Sequence, residues 1–190
     1  PWYRGEMMSV GIGQGYFTAT PLQIALATAI IANKGHILRP HLLMSSQGPN
    51  PVELPEQPNQ NVAFNGTPQD WDNMHAAMHM VVQPGGTAAA LSRGLVGYEI
   101  AGKTGTAQVK GIKQNEKYSE SRLDPRHWDH AWFMGFAPLQ NPRIAVAVLV
   151  ENGKHGGSAA GPIARALFDY EINGIIAPPP ALEGEDGVDE

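Results

Sequence analysis

Ala101-Gly102-Lys103-Thr104-Gly105-Thr106-Ala107-Gln108-Val109 is the stretch on which the reading of this chain turns. Small and β-branched residues follow the Lys-Thr-Gly triplet, and the pattern predicts a strand over Tyr98–Val109. Gly102 and Gly105 remove side chains from that strand, so a ligand backbone could approach it closely. The same letters have a second spelling. Gly97-Tyr98-Glu99-Ile100-Ala101-Gly102-Lys103-Thr104 matches the phosphate-binding loop G-x-x-x-x-G-K-[ST], and Ile144–Glu151 could pass for its acidic partner strand. That loop needs a buried strand before Gly97 and a helix opening at Lys103-Thr104 to aim N–H groups at phosphate. Ser92–Val96 makes a poor buried strand, Tyr98–Ala101 contains no glycine, and Gly105, Thr106 and Val109 are poor helix formers. The strand is the better reading, with a nucleotide hydrolase as the weaker alternative.

Working outward, Trp132–Ala137 and Ile144–Glu151 read as two further strands, joined by the short connection Pro138–Arg143. A link of that length suits a hairpin, because parallel neighbours need a long crossover. Before the triplet, Thr20-Pro21-Leu22-Gln23 opens a helix. Thr20 can cap it, Pro21 suits the first helical position and Gln23 can complete a capping box. The helix runs to Ala32 and stops at Asn33-Lys34-Gly35, with Gly35 suited to the left-handed position after its end. It is apolar almost all round, which predicts burial. Ile37–Leu43 reads as a short strand and Ser45–Gly66, rich in Pro, Gln and Asn, as a surface loop. A second helix starts at Thr67-Pro68-Gln69-Asp70, with Trp71, Met74, Met78 and Val81 on one face, and ends before Pro84-Gly85-Gly86. Thr87 is placed as the cap of a short helix through Ala90, and a last helix covers Ala160–Ile172. The fold class is α+β, an antiparallel sheet with helices packed on it, over residues 1–176. Residues 177–190, proline-rich and then acidic, read as a disordered tail.

Charge narrows the choice of partner. The tail holds Glu183, Glu185, Asp186, Asp189 and Glu190; without them 13 acids face 13 Lys and Arg, so the body is neutral. Nucleic-acid binding needs a concentrated basic face, which a neutral body does not supply. Absence of cysteine excludes disulfides and thiolate metal sites. The longest apolar run, Leu22–Ala32, is interrupted by Gln23 and Thr28 and is too short to span a bilayer. The start at Pro1-Trp2-Tyr3-Arg4, without Met or a signal peptide, reads as a fragment.

Lys103-Thr104-Gly105-Thr106 resembles the third signature of the penicillin-binding proteins and serine β-lactamases. The likeness extends beyond it. Ser9–Tyr16 followed by Thr18–Gln23 resembles the segment before a core helix in class B penicillin-binding proteins. Pro84–Ala88 resembles their turn before the third-signature strand, and Trp132–Pro138 and Ile144–Glu151 the two strands after it. The match covers about nine-tenths of the chain, Trp2 to Ile172, and is closest to the cell-elongation branch of Gram-negative bacteria. The resemblance implies the C-terminal portion of a D,D-transpeptidase domain, acting on stem peptides ending in D-Ala-D-Ala and acylated by β-lactams, without a cofactor or metal. It implies that Lys103 places a cation by the nucleophilic serine and the substrate carboxylate, with the Thr104 and Thr106 hydroxyls hydrogen-bonded to that carboxylate. It implies an oxyanion-hole donor at the Thr106 N–H, a place for Gly105 among the catalytic residues with Lys103, Thr104 and Thr106, and a substrate contact by Gln108. An open strand edge would pair with the extended peptide. A cell-shape glycosyltransferase partner and an N-terminal membrane anchor at the periplasmic face of the inner membrane are implied as well.

The sequence departs from the family pattern in one respect. It contains no Ser-x-x-Lys, Ser-x-Asn or Ser-x-Asp, so the nucleophile, its lysine and the second signature are expected upstream, in the remainder of the domain. A sensor or binding scaffold without turnover is the rival from another class. Other candidates read more plainly. His75 and His79 share a helix face, but Ala76 stands where the zinc-protease pattern needs Glu, and His127 and His130 lack a third ligand. Gly11-Ile12-Gly13-Gln14-Gly15 is no dinucleotide fingerprint and is expected to bend the backbone below the site. Met74, Met78 and Met80 read as packing residues. Lys110–His130 reads as a polar loop bordering the cleft.

Overall fold

A computed structural model describes residues 3–64, 66–110 and 124–176. Helix α1 spans Arg4–Gly11, α2 Pro21–Ala32 and α3 Pro68–Met80. Strand β1 spans Ala101–Ala107, β2 His130–Ala137 and β3 Ile144–Val150, and α4 covers Gly161–Asn173. The strands form an antiparallel sheet in the order β1-β2-β3, with Lys103 opposite Met134, Gly105 opposite Trp132 and Phe133 opposite Val148. The α+β class and the hairpin between the last two strands are as expected, as part of a larger domain type.

Side chains alternate across a strand, so the register sorts them into two faces. One face carries Ala101, Lys103, Gly105, Trp132, Met134, Phe136 and Ala145. Here Ala101 and Phe136 pack with Ala32 of α2 and Met78 of α3. The other carries Thr104, Thr106, Ala131, Phe133, Val146 and Val148, and its core joins Phe133 to Ala160, just before α4, and to Ala164 and Phe168 of α4. The sheet is therefore sandwiched between α2–α3 and α4. Phe133, Phe136 and Phe168 are completely buried.

The start of α2 has the predicted capping box. Gln23 N donates to Thr20 Oγ1 at 3.2 Å, and Thr20 N donates to Gln23 Oε1 at 2.8 Å. Its end differs by one residue. Lys34 takes the first left-handed position (φ 51°) and Gly35 the next (φ 95°), with Lys34 N bonded to Ile31 O and Gly35 N to Ile30 O. This double closure is a Schellman motif. A side chain at Gly35 would come within 2.7 Å of the Trp71 ring, which lies against it. The expected burial of α2 is corrected: Thr28 and Ala32 are its buried residues, and Leu22 is 62% exposed. The helix rests on the sheet through Thr28 and Ala32, and most of its other apolar side chains are only half-buried.

At the start of α3 the Asp70 carboxylate accepts from both the N–H and the hydroxyl of Thr67, which holds its pKa below the usual range. Buried His75 donates from Nε2 to Ile31 O at 2.8 Å, tying α3 to α2. His79 Nδ1 donates to Ile100 O at 2.9 Å, tying α3 to the chain entering β1. Both histidines are structural ties, and no group of three metal-ligating side chains occurs among the described residues.

Several further expectations are corrected. Ile37–Leu43 forms no strand; a single bridge joins His36 and Asn61. Pro40, Pro55 and Pro58 lack the N–H a ladder needs, and the Gln57 carboxamide bonds both the N–H and the C=O of Arg39 instead. β1 is shorter than Tyr98–Val109, because Tyr98 turns aside to hydrogen-bond Asp169 and Gly97 sits at φ 83°. Thr87 caps nothing; the short 3₁₀ turn Ala89–Ser92 starts from Ala88. α1 had no expectation at all. The acidic tail, and most of the loop from Lys110 to His130, lie outside the described residues.

Candidate functional site

β1 lies at one edge of the described sheet, and its backbone polar groups divide by parity. The peptide groups of Gly105 adjoin the Trp132 carbonyl, so odd-numbered residues bond across to β2. Even-numbered residues then present their N–H and C=O outward. Two contacts agree with this. Lys103 Nζ donates to Thr104 O at 2.7 Å, and Gln14 Nε2 donates to Thr106 O at 2.7 Å. The Thr106 N–H belongs to the same outward set.

The sequence-predicted residues fall on both sides of this edge. Lys103 and Gly105 face the α2 side, and the Lys103 side chain is exposed. Thr104 and Thr106 face the α4 side, where Thr104 Oγ1 lies 2.9 Å from Thr87 Oγ1. Gln108 follows the end of the strand, and its N–H lies 3.5 Å from Gln14 Oε1, at the limit of a hydrogen bond. All five candidates thus occupy one edge, with Lys103 and the two threonines reaching it from opposite faces.

Gly102 and Gly105 do different work. A Cβ on Gly102 would strike the Phe133 ring, so this glycine makes room for the core and not for a ligand, which corrects the expectation. A Cβ on Gly105 would lie 3.1 Å from Trp132 Cβ, on the face that opens to the pocket. That pocket has a volume of about 420 Å³ and is bounded by β1, Trp132 and Met134 on one side. Ile12, Phe17 and Ile24 bound the other. Its walls are largely apolar, with Lys103 at the margin. Ile12 and Phe17 are 78% and 55% exposed, so much of its apolar lining faces outward.

The glycine-rich segment bends as expected, with Gly13 at φ 77° and Gly15 at φ 70°. Gln14, between them, was missed as a candidate, and so was Thr87. The signal for Gln14 was a polar residue between glycines. Its target lies 92 residues away, which no local pattern reveals. The phosphate-loop reading fails here, because Lys103-Thr104 continues a strand where that loop would start a helix.

Behind the site, a network ties the loop before β1 to α4. Tyr98 OH donates to Asp169 Oδ1 at 2.7 Å, and Arg165 Nε donates to Asp169 Oδ2 at 2.7 Å. Arg165 also donates to Leu91 O at 2.5 Å and Arg93 O at 3.2 Å. Burial, and next the Asp169 carboxylate, push the Tyr98 phenol well above its ordinary pKa.

Comparison with known proteins converges on one family. The penicillin binding protein transpeptidase domain matches residues 1–169. A peptidoglycan D,D-transpeptidase, MrdA, of Acinetobacter baumannii is 52% identical over 169 residues, 89% of this chain and 25% of that protein. The crystal structure of Pseudomonas aeruginosa PBP2 in complex with WCK 5153 superposes with a TM-score of 0.72 at 42% identity, covering 90% of this chain and 34% of that one. Penicillin-binding protein A from M. tuberculosis, solved as a penicillin G acyl-enzyme complex, gives a TM-score of 0.63 at 34% identity, covering 86% and 34%. The chain spans about a quarter of the length of the curated relatives it matches. It belongs to the penicillin-binding protein transpeptidase family.

Proposed function

We propose that this chain is the substrate-clamp portion of a peptidoglycan D,D-transpeptidase that cross-links stem peptides through a serine acyl-enzyme and is inhibited by β-lactams. The observation that carries this reading is Lys103-Thr104-Gly105-Thr106 on an open strand edge beside an apolar pocket. An extended peptide ending in D-Ala-D-Ala would add to that edge by main-chain hydrogen bonds. Lys103 would supply the cation for its carboxylate, and the Thr104 and Thr106 hydroxyls would hydrogen-bond the same group. The outward Thr106 N–H would be one oxyanion donor, a contribution of about 3 kcal/mol to a transition state. Gly105 keeps the strand low beside the scissile bond, and Gln108 would contact the peptide beyond Thr106.

The nucleophilic serine, its activating lysine and the second signature would come from the remainder of the domain. Exposed Ile12 and Phe17 at the pocket, with exposed Leu22 nearby in sequence on α2, favour such a covering part, since exposed apolar surface of this kind is where another element packs. No helix among the described residues is long and apolar enough to cross a membrane. The whole protein is proposed to act at the periplasmic face of the inner membrane, anchored there by an N-terminal helix. Its proposed partner there is a cell-elongation glycosyltransferase.

The test is acylation of the full-length protein by a fluorescent penicillin. Wild-type protein should label covalently, and Lys103→Ala should label about 10- to 100-fold more slowly, the size of a lost charge-assisted hydrogen bond. Normal labelling of the variant would remove the role given to Lys103. Stable labelling without turnover of a D-Ala-D-Ala peptide would favour a sensor.

A further inference from the structure

Gln14 stands apart from the other polar residues near the pocket because its whole setting is directed at β1. α1 ends at Gly11, and the following turn is tied back to it by Gly13 N to Val10 O at 2.9 Å and Gln14 N to Ser9 O at 2.9 Å. Gly13 and Gly15, on either side, both adopt left-handed backbone angles that other residues rarely accept. A side chain at Gly15 would touch Ser9 Cβ at 3.4 Å, so the turn closes tightly on α1. The half-buried side chain projected from this turn donates to Thr106 O at 2.7 Å and faces the Gln108 N–H with its oxygen. A carboxamide carries a donor and an acceptor side by side, as a peptide group does. Gln14 therefore takes the place of one residue of a neighbouring strand at the end of the open edge.

Lys103 offers the contrast. It too covers an outward carbonyl, Thr104 O, but through an exposed, flexible side chain that an arriving carboxylate could draw away. Gln14 is neutral and held by its turn, so it stays.

We propose that Gln14 is a positioning residue of the clamp strand. It fixes the carbonyl of the Thr106–Ala107 peptide, which restrains rotation about Thr106 and so steadies the adjoining Thr106 N–H, and it ends the open edge so that a ligand strand pairs no further than Thr106. This inference rests on the transpeptidase reading and deepens it. A residue that orients an oxyanion donor acts on the chemical step, whereas a residue that only props up the fold does not distinguish the chemical step from binding.

The experiment is stopped-flow acylation of the full-length protein by a chromogenic cephalosporin, separating the limiting acylation rate from the non-covalent dissociation constant. Gln14→Ala should lower the limiting rate about five- to tenfold, as expected for one lost hydrogen bond, with the dissociation constant changed less than twofold. Gln14→Glu keeps the length and the acceptor but loses the donor to Thr106. It should show the same loss of rate, and it provides the test if the alanine variant fails to fold. Thermal midpoints should stay close to wild type. Equal limiting rates in wild type and Gln14→Glu would overturn the proposal, as would a loss confined to the dissociation constant. Wild-type protein that no cephalosporin acylates would instead overturn the transpeptidase reading, and this inference with it.

Discussion

The two sides of the sheet are built to different standards. On the α4 side, Phe133, Val148, Ala164 and Phe168 form a closed core, and Arg165 and Tyr98 satisfy the polar groups at its rim. On the α2 side the core around Ala101 and Phe136 is small, and the apolar surface of α1, the following turn and α2 continues outward to Ile12, Phe17 and Leu22. The candidate site lies on the seam between them. A closed core fixes the backbone of β1, and an open apolar face leaves room for whatever meets that strand.

The sharpest way to break this comparison is to remove a side chain from each side. Phe133→Ala should cost about 3–5 kcal/mol in urea unfolding, the range for a fully buried aromatic. Next comes Gly102→Ala, whose new methyl would meet the Phe133 ring; overpacking of this kind costs about 1–3 kcal/mol. A near-zero effect there would mean that the closed side yields more easily than its packing implies.

Tyr98→Phe should cost about 1 kcal/mol at neutral pH through the lost hydrogen bond to Asp169. It should also change the response to base. The folded-state pKa of Tyr98 is raised, so its stabilisation is fully present below the unfolded value of about 10. That stabilisation is lost as pH rises from there towards the folded value. Thermal unfolding between pH 9 and 11 should therefore show the wild type losing stability more steeply than Tyr98→Phe. Parallel pH profiles would remove Tyr98 from the account of the closed side. Smallest should be Leu22→Ala, within about 0.5 kcal/mol for an exposed site. Run in the 190-residue chain and again in full-length protein, that substitution sharpens the comparison: a cost of several kcal/mol only in the longer protein would identify α2 as covered there.

Much of this was legible locally. Thr20-Pro21-Leu22-Gln23 specified its own capping box, and the two apolar runs Trp132–Ala137 and Ile144–Glu151 with their short link specified the hairpin, because those signals are complete within a few residues. Ile37–Leu43 misled, since a strand also needs a partner able to bond, and the facing segment holds prolines. α2 misled in another way: its sequence records how apolar its surface is, and not which neighbours are at hand to cover it. α1 left no readable signal, being short and flanked by glycines.

Sequence alone therefore determined the Lys103-Thr104-Gly105-Thr106 signature and its strand character, because both are properties of a contiguous stretch. Tertiary structure decided what each residue of that stretch faces. It turned Gly102 into the core against Phe133, opened Gly105 to the pocket, and brought Gln14 across 92 residues to the Thr106 carbonyl. Those are matters of register and of distant chain brought close, and they exist only once the sheet is paired and the turn after α1 is folded onto its edge.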